Sequence, residues 1–153
     1  MYQIVLFLHS WIRWLLLILS VIVVFRSLSG WIKKSEYKKS DNLGSAILVG
    51  LFDIQLLLGL LLYFVLSPLT SAAFNDFGKA MQDPALRFWA VEHIFIMVLA
   101  VIVAHLGRNF SKKASDDHSK FRIQSIYFLL SIILIFSMIP WHESARLFRG
   151  ITN

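Results

Sequence analysis

Four apolar runs of about 20 residues each, broken by charged or proline-containing stretches, take up most of this chain. A helix rising ~1.5 Å per residue over such a run reaches across a ~30 Å hydrocarbon layer. Of the 153 residues, 58% are hydrophobic and only 16% charged, with a mean hydropathy of +0.69. Too little polar surface is left for the shell of a soluble domain. The expected fold class is all-α, an integral-membrane four-helix bundle with up-down-up-down connectivity. A single domain is expected over residues 1–153, with helices over Ile4–Leu28, Gly44–Leu66, Leu86–Gly107 and Ile123–Pro140.

The net charge of +6 and isoelectric point of about 9.8 would suggest nucleic acid as the partner of a soluble chain. Here the basic residues cluster by position. Arg26, Lys33, Lys34, Lys38 and Lys39 border the first connection, and Arg108, Lys112, Lys113, Lys120 and Arg122 the third. The positive-inside rule makes both connections cytoplasmic and both termini periplasmic, as in a bacterial inner membrane, with no nucleic-acid partner. Met1–Leu8 has no basic start and no cleavage pattern follows it, so the first helix is expected to be retained. Tyr2, Trp11, Trp14, Trp31, Trp89 and Trp141 fall near the ends of the spans, where aromatic rings favour the membrane interface. The second connection, Ser67–Ala85, is long enough for a short helix over the outer mouth. The tail from His142 to Asn153 is expected along the outer interface, with Leu147, Phe148 and Ile151 inward.

The absence of cysteine excludes disulfides, thiolate metal sites, iron–sulfur clusters, covalently attached haem and cysteine nucleophiles. Any redox chemistry needs a non-covalent cofactor. An ionisable side chain inside a span costs a few kcal/mol, so each one is a hypothesis about structure or function. His9 and Arg13 lie in the first run, Asp53 and Gln55 in the second, and Glu92, His93 and His105 in the third. His9 lies five residues past Ile4 and His93 six past Arg87, which puts both at a depth of roughly 7 to 9 Å on diagonal helices. That arrangement suits two axial ligands of one b-type haem in an apolar interior. The plainer alternative is a pair of interfacial or hydrogen-bonded bundle histidines.

Arg87, Lys79 or Arg146 near the outer mouth would meet the haem propionates. His105 has no intramembrane histidine opposite it, and His118 sits in the hydrophilic 111–120 segment, so one haem is expected and no more. His142 is the substitute ligand if the diagonal pairing fails. A zinc or di-iron site is disfavoured because Glu92 faces about 100° away from His93. Arg13 lies one turn below His9, and its expected partner is Asp53, joined by Gln55 or Glu92. Such a pair would fix helix register, or Asp53 or Glu92 would relay protons for a quinone.

The strings His9-Ser10-Trp11-Ile12-Arg13-Trp14, Asp53-Ile54-Gln55-Leu56-Leu57-Leu58-Gly59 with Tyr63-Phe64, Arg87-Phe88-Trp89-Ala90-Val91-Glu92-His93, Gly107-Arg108 and Ile139-Pro140-Trp141 span nearly the whole chain. Together they resemble a family of short four-helix membrane proteins of Bacteroidetes-type bacteria whose members are often labelled cytochrome b. The first and third strings are the specific ones. The resemblance implies haem ligands at His9 and His93, an inner-membrane location and a respiratory or other redox partner. Two-haem members of the wider class need four suitably placed histidines, and this chain departs from that pattern.

The function expected is therefore electron transfer through one bis-histidine haem b, with cofactor-binding residues His9, His93, Arg13 and Arg87. Its partners would be the lipid bilayer and a membrane quinone or respiratory-complex subunit. The alternative is a haem-free accessory or scaffold subunit. A transporter fits less well, for want of paired half-repeats and broken helices.

Overall fold

The computed structural model describes residues 1–141 and 143–150, and every described regular element is helical. Helix α1 covers Tyr2–Lys33 and α2 covers Lys39–Leu61, continued by a π-helical turn over Leu62–Leu66. Three short helices follow, α3 Pro68–Asn75, α4 Phe77–Gln82 and α5 Pro84–Arg87. A second π-helical turn, Phe88–Glu92, leads into α6, His93–Lys113. Helix α7 covers Asp117–Ser137, and one turn, α8, covers Ser144–Leu147. Four helical stretches, 2–33, 39–66, 84–113 and 117–137, are long and apolar enough to cross a membrane.

The bounds differ from those expected because capping chemistry, and not the end of the apolar run, stops these helices. The first helix runs five residues past Leu28, and Lys34 closes it in the left-handed region at φ 51°, its N–H on the Gly30 and Trp31 carbonyls. At the start of α2, the Asp41 carboxylate accepts the Lys38 N–H at 2.9 Å, which begins the helix ahead of Gly44. Asp116 accepts from Ser119 N–H at 2.8 Å and starts α7 six residues before Ile123. At its far end α7 stops at Ser137, short of Pro140. The third long stretch extends beyond Leu86–Gly107 in both directions, from Pro84 to Lys113. The segment after Ser67 holds three short helices where one was expected, each opened by a side-chain cap from Ser67, Asp76 or Asp83.

Helix α1 packs against α2 and α7, and α6 also packs against α2 and α7. This leaves α1 and α6 facing each other across the interior. The core between them is made by Leu16, Leu48, Phe52, Ala100, Ala104, Phe128 and Ile135. Two glycines set the closest approaches. A Cβ on Gly107 would lie 2.4 Å from Tyr127 Cβ, and one on Gly30 would lie 2.6 Å from the Phe121 ring. At one end of the bundle, Arg26 grips Asp41 through two parallel bonds of 2.8 and 3.0 Å. Near it, Arg108 donates to Ser45 Oγ at 2.6 Å and to the Asn42 carbonyl at 3.0 Å. Large side chains such as Phe25, Phe64, Phe95 and Ile133 point outward, a surface compatible with lipid.

Candidate cofactor-binding cavity

At the end of the bundle away from Arg26, α1, α2, α6 and the residues after α7 enclose a cavity with about 1130 Å³ of free space, counting its open mouth. On α1 its lining runs from Tyr2 to Leu16, a length of about 21 Å at helical rise. The wall is mainly apolar, and His9 from α1 and His93 from α6 both line it.

His93 is held by the bend that precedes it. In the π-helical turn the His93 N–H reaches back five residues to the Phe88 carbonyl, and such a turn re-aims the side chains that follow. Its imidazole Nδ1 lies 3.1 Å from the Met138 carbonyl oxygen, and its ring leans on Phe88 and Trp89 at centroid distances of 5.8 and 5.3 Å. In the tautomer that makes this bond, Nδ1–H donates and Nε2 keeps its lone pair, as in a metal-ligating histidine. The neighbouring π-helical turn is tied to the first through Tyr63, whose hydroxyl donates to the Ala90 carbonyl at 2.6 Å.

His9 is positioned from the other side. Gln55 Nε2 donates to the His9 carbonyl at 2.9 Å, and Gly59 gives the ring its place. A Cβ on Gly59 would come 3.3 Å from His9 Cε1. His9 Nδ1 is buried without a hydrogen-bond partner, as is Gln55 Oε1. Buried polar atoms left unpaired are costly, so orphans lining a cavity are what a ligand site provides before its ligand is counted.

The expected pair of Arg13 with Asp53 does not form. Arg13 is buried and lines the cavity, but its Nη2 donates to the Arg146 and Leu147 carbonyls at 3.1 and 3.0 Å. The returning C-terminal segment thus supplies two carbonyl oxygens to Nη2, while Arg13 Nε stays buried without a hydrogen-bond partner. Asp53 instead bonds His105 on α6 at 2.7 Å. Glu92 pairs with Arg87 at 2.7 Å, and Arg87 also donates to the Met81 carbonyl. Arg87, expected as a cofactor-binding residue, braces the 81–92 segment and is not among the residues that line the cavity. Lys79 is likewise engaged elsewhere, with Asp76 at 3.0 Å. Of Arg87, Lys79 and Arg146, Arg146 lines the cavity, stacked over Trp89 at 4.4 Å and paired with Glu143.

The tail is drawn back by the first of the specific sequence strings. Trp14 Nε1 donates to the Leu147 carbonyl at 2.7 Å, Trp11 Nε1 to the Arg149 carbonyl at 3.0 Å, and Trp14 stacks on Phe148 at 5.1 Å. Leu147 packs on the core as expected, whereas Phe148 lies on Trp14 and is largely exposed. His118 sits in the first turn of α7 with its ring against Trp31. His142 and Ile151 lie outside the described residues.

Tyr63, Gly59 and Met138 were not singled out as site residues from sequence, since a tyrosine, a glycine and a methionine in apolar runs carry no signal of their own. Among the described residues no group of three or more His, Cys, Asp or Glu gathers as a metal cage. A haem iron takes at most two axial ligands from the protein, fewer than such a cage supplies. No protein-family model, curated protein or solved structure matches this chain.

Proposed function

We propose that this chain is a membrane-integrated up-down-up-down bundle that binds one b-type haem between His9 and His93 and acts as an electron-transfer protein. The observation that carries the reading is the pairing of unlike imidazole environments on one apolar cavity. His9 has an orphaned Nδ1, while His93 has Nδ1 engaged on Met138. Bound there, haem would supply a one-electron couple.

The protein groups have separate tasks. Gln55 and Gly59 set the position of His9, and Met138, Phe88 and Trp89 set that of His93. Arg146 is the cation placed to meet carboxylate groups of the cofactor, with Trp89 beneath it. Leu6, Leu16, Phe52, Ile135 and Ile139 keep water from the site. Two histidine ligands leave no open coordination position, which favours electron transfer over oxygen activation. The basic connections, with Lys33, Lys34, Lys38, Lys39, Lys112 and Lys113, would face the cytoplasm and the cavity end the periplasm of a bacterial inner membrane. A membrane quinone or a respiratory-complex subunit would be the redox partner.

Titration of purified haem-free protein with haemin tests this reading. One equivalent taken up, with loss of that stoichiometry in His9→Ala and His93→Ala proteins that remain helical, is the expected outcome. A second reading, a haem-free accessory subunit, draws on the fact that Arg13, Asp53 and Arg87 all bind other protein groups. Absence of haemin uptake by folded wild type would favour it.

A further inference from the structure

Apart from the cavity, one titratable pair stands in the middle of an apolar surface. His105 Nε2 lies 2.7 Å from Asp53 Oδ1 and bridges α6 to α2, yet the side chains are 42% and 47% exposed. The outer faces around them present Ile54, Leu57, Ile102 and Leu106. Among the described residues neither side chain has another hydrogen-bond partner. Gly50, one turn from Asp53 on α2, has nothing within 4 Å of where a Cβ would stand, so the surface beside the pair is open there. A pair serving only to join two helices would be cheaper hidden between them, because ionisable groups turned toward hydrocarbon are costly.

We propose that His105, Asp53 and the open surface at Gly50 form a binding site for the ring of a lipid-soluble quinone or quinol, reached from the bilayer side. The site rests on the membrane integration proposed above and not on haem. Its chemistry is matched to both redox forms of such a ring. With Nε2–H on Asp53, neutral His105 keeps an acceptor at Nδ1, and Asp53 keeps one at Oδ2. Both accept from quinol hydroxyls. Protonated His105 turns Nδ1 into a donor for a quinone carbonyl. The apolar tail of the carrier then lies along Ile54, Leu57, Ile102 and Leu106. An apolar helix of a partner protein would instead bury Oδ2 and Nδ1 unpaired, at a cost of about 1–3 kcal/mol for each group.

The test is saturable binding of a decyl-substituted benzoquinone to the purified protein in detergent, followed by tryptophan quenching and calorimetry. One site per chain is expected in wild type. His105→Leu and Asp53→Leu should each weaken it about tenfold or more. Gly50→Leu covers the open surface while keeping both members of the pair, and should weaken binding to a similar degree with an unfolding midpoint no lower than that of wild type. The proposal is overturned if wild type shows no saturable binding, or if Gly50→Leu and both pair substitutions leave binding as it was. It is equally overturned if wild type is a dimer that Gly50→Leu dissociates and that takes up no quinone. Because the readout is quinone binding with or without haem, failure here leaves the cytochrome reading standing, and failure of haem binding leaves this site standing.

Discussion

His93 Nδ1 and the Met138 carbonyl oxygen lie 3.1 Å apart, across the junction between α6 and the residues that follow α7. The carbonyl lies just past the end of α7, which stops at Ser137, where the chain turns through Ile139 and Pro140. One bond thus closes the bundle end and orients an imidazole whose Nε2 lone pair remains for a metal. The opposing His9 has no such bond at Nδ1, so its orientation depends on packing.

That dependence makes Gly59 the residue to change. Gly59→Leu would displace the His9 ring, since even a Cβ stands 3.3 Å from Cε1. In a helix interior, replacing glycine gains up to about 1 kcal/mol in propensity. The expected variant is helical and no less stable than wild type by thermal unfolding, with haem content per chain reduced several-fold.

Two glycines should respond in opposite ways. Gly107→Ala forces a methyl to within 2.4 Å of Tyr127 Cβ, whereas Gly50→Ala meets nothing within 4 Å. Detergent unfolding midpoints should place Gly107→Ala about 1–3 kcal/mol below wild type, the usual cost of overpacking. Gly50→Ala should match or slightly exceed wild type.

Arg13 and Trp14 hold the tail through backbone carbonyls. Arg13→Leu leaves two carbonyls without that donor and should cost about 1–3 kcal/mol. Limited trypsin digestion reads the local effect. Cleavage after Arg146 and Arg149 should accelerate in Arg13→Leu and in Trp14→Phe, which loses only the N–H donor, while cleavage in the 33–39 segment stays at the wild-type rate.

At the N-terminus of α7, the Ser119 backbone N–H bonded to Asp116 holds that carboxyl below its usual range. A lowered folded value means the cap contributes fully above the ordinary aspartate pKa near ~3.9 and is lost as the pH falls through the folded value. Amide exchange in the first turn of α7 should therefore accelerate, relative to its intrinsic rate, below about pH 4. Asp116→Asn keeps an acceptor that does not titrate and should reduce this dependence, leaving the share contributed by Asp117, whose carboxyl the Tyr37 N–H and Lys120 also hold below its usual range.

The four long helices were legible because an apolar run of spanning length admits few other structures, and His9 and His93 stood out because histidine is expensive there. Partner choice was not legible. Arg13 and Asp53 are close by depth counting, yet Arg13 bonds the Arg146 and Leu147 carbonyls and Asp53 bonds His105. Depth along a helix says nothing of azimuth, nor of a tail that folds back with unpaired carbonyl oxygens. The π-helical turns at Leu62–Leu66 and Phe88–Glu92 shift azimuth again, and no residue in Leu-Tyr-Phe-Val-Leu or Phe-Trp-Ala-Val-Glu announces them. Helix ends were misplaced for the opposite reason. Caps such as Asp116 lie in polar sequence outside the apolar run and carry the helix past it.

The most direct measurement of the central claim is the visible spectrum of the detergent-purified protein, oxidised and dithionite-reduced, beside His9→Ala and His93→Ala made under ample haem supply. A low-spin b-type spectrum with one haem per chain is expected, lost or converted to high spin by either substitution in protein that remains folded. Well-folded wild type without a Soret band, or a low-spin spectrum that survives both substitutions, would contradict it.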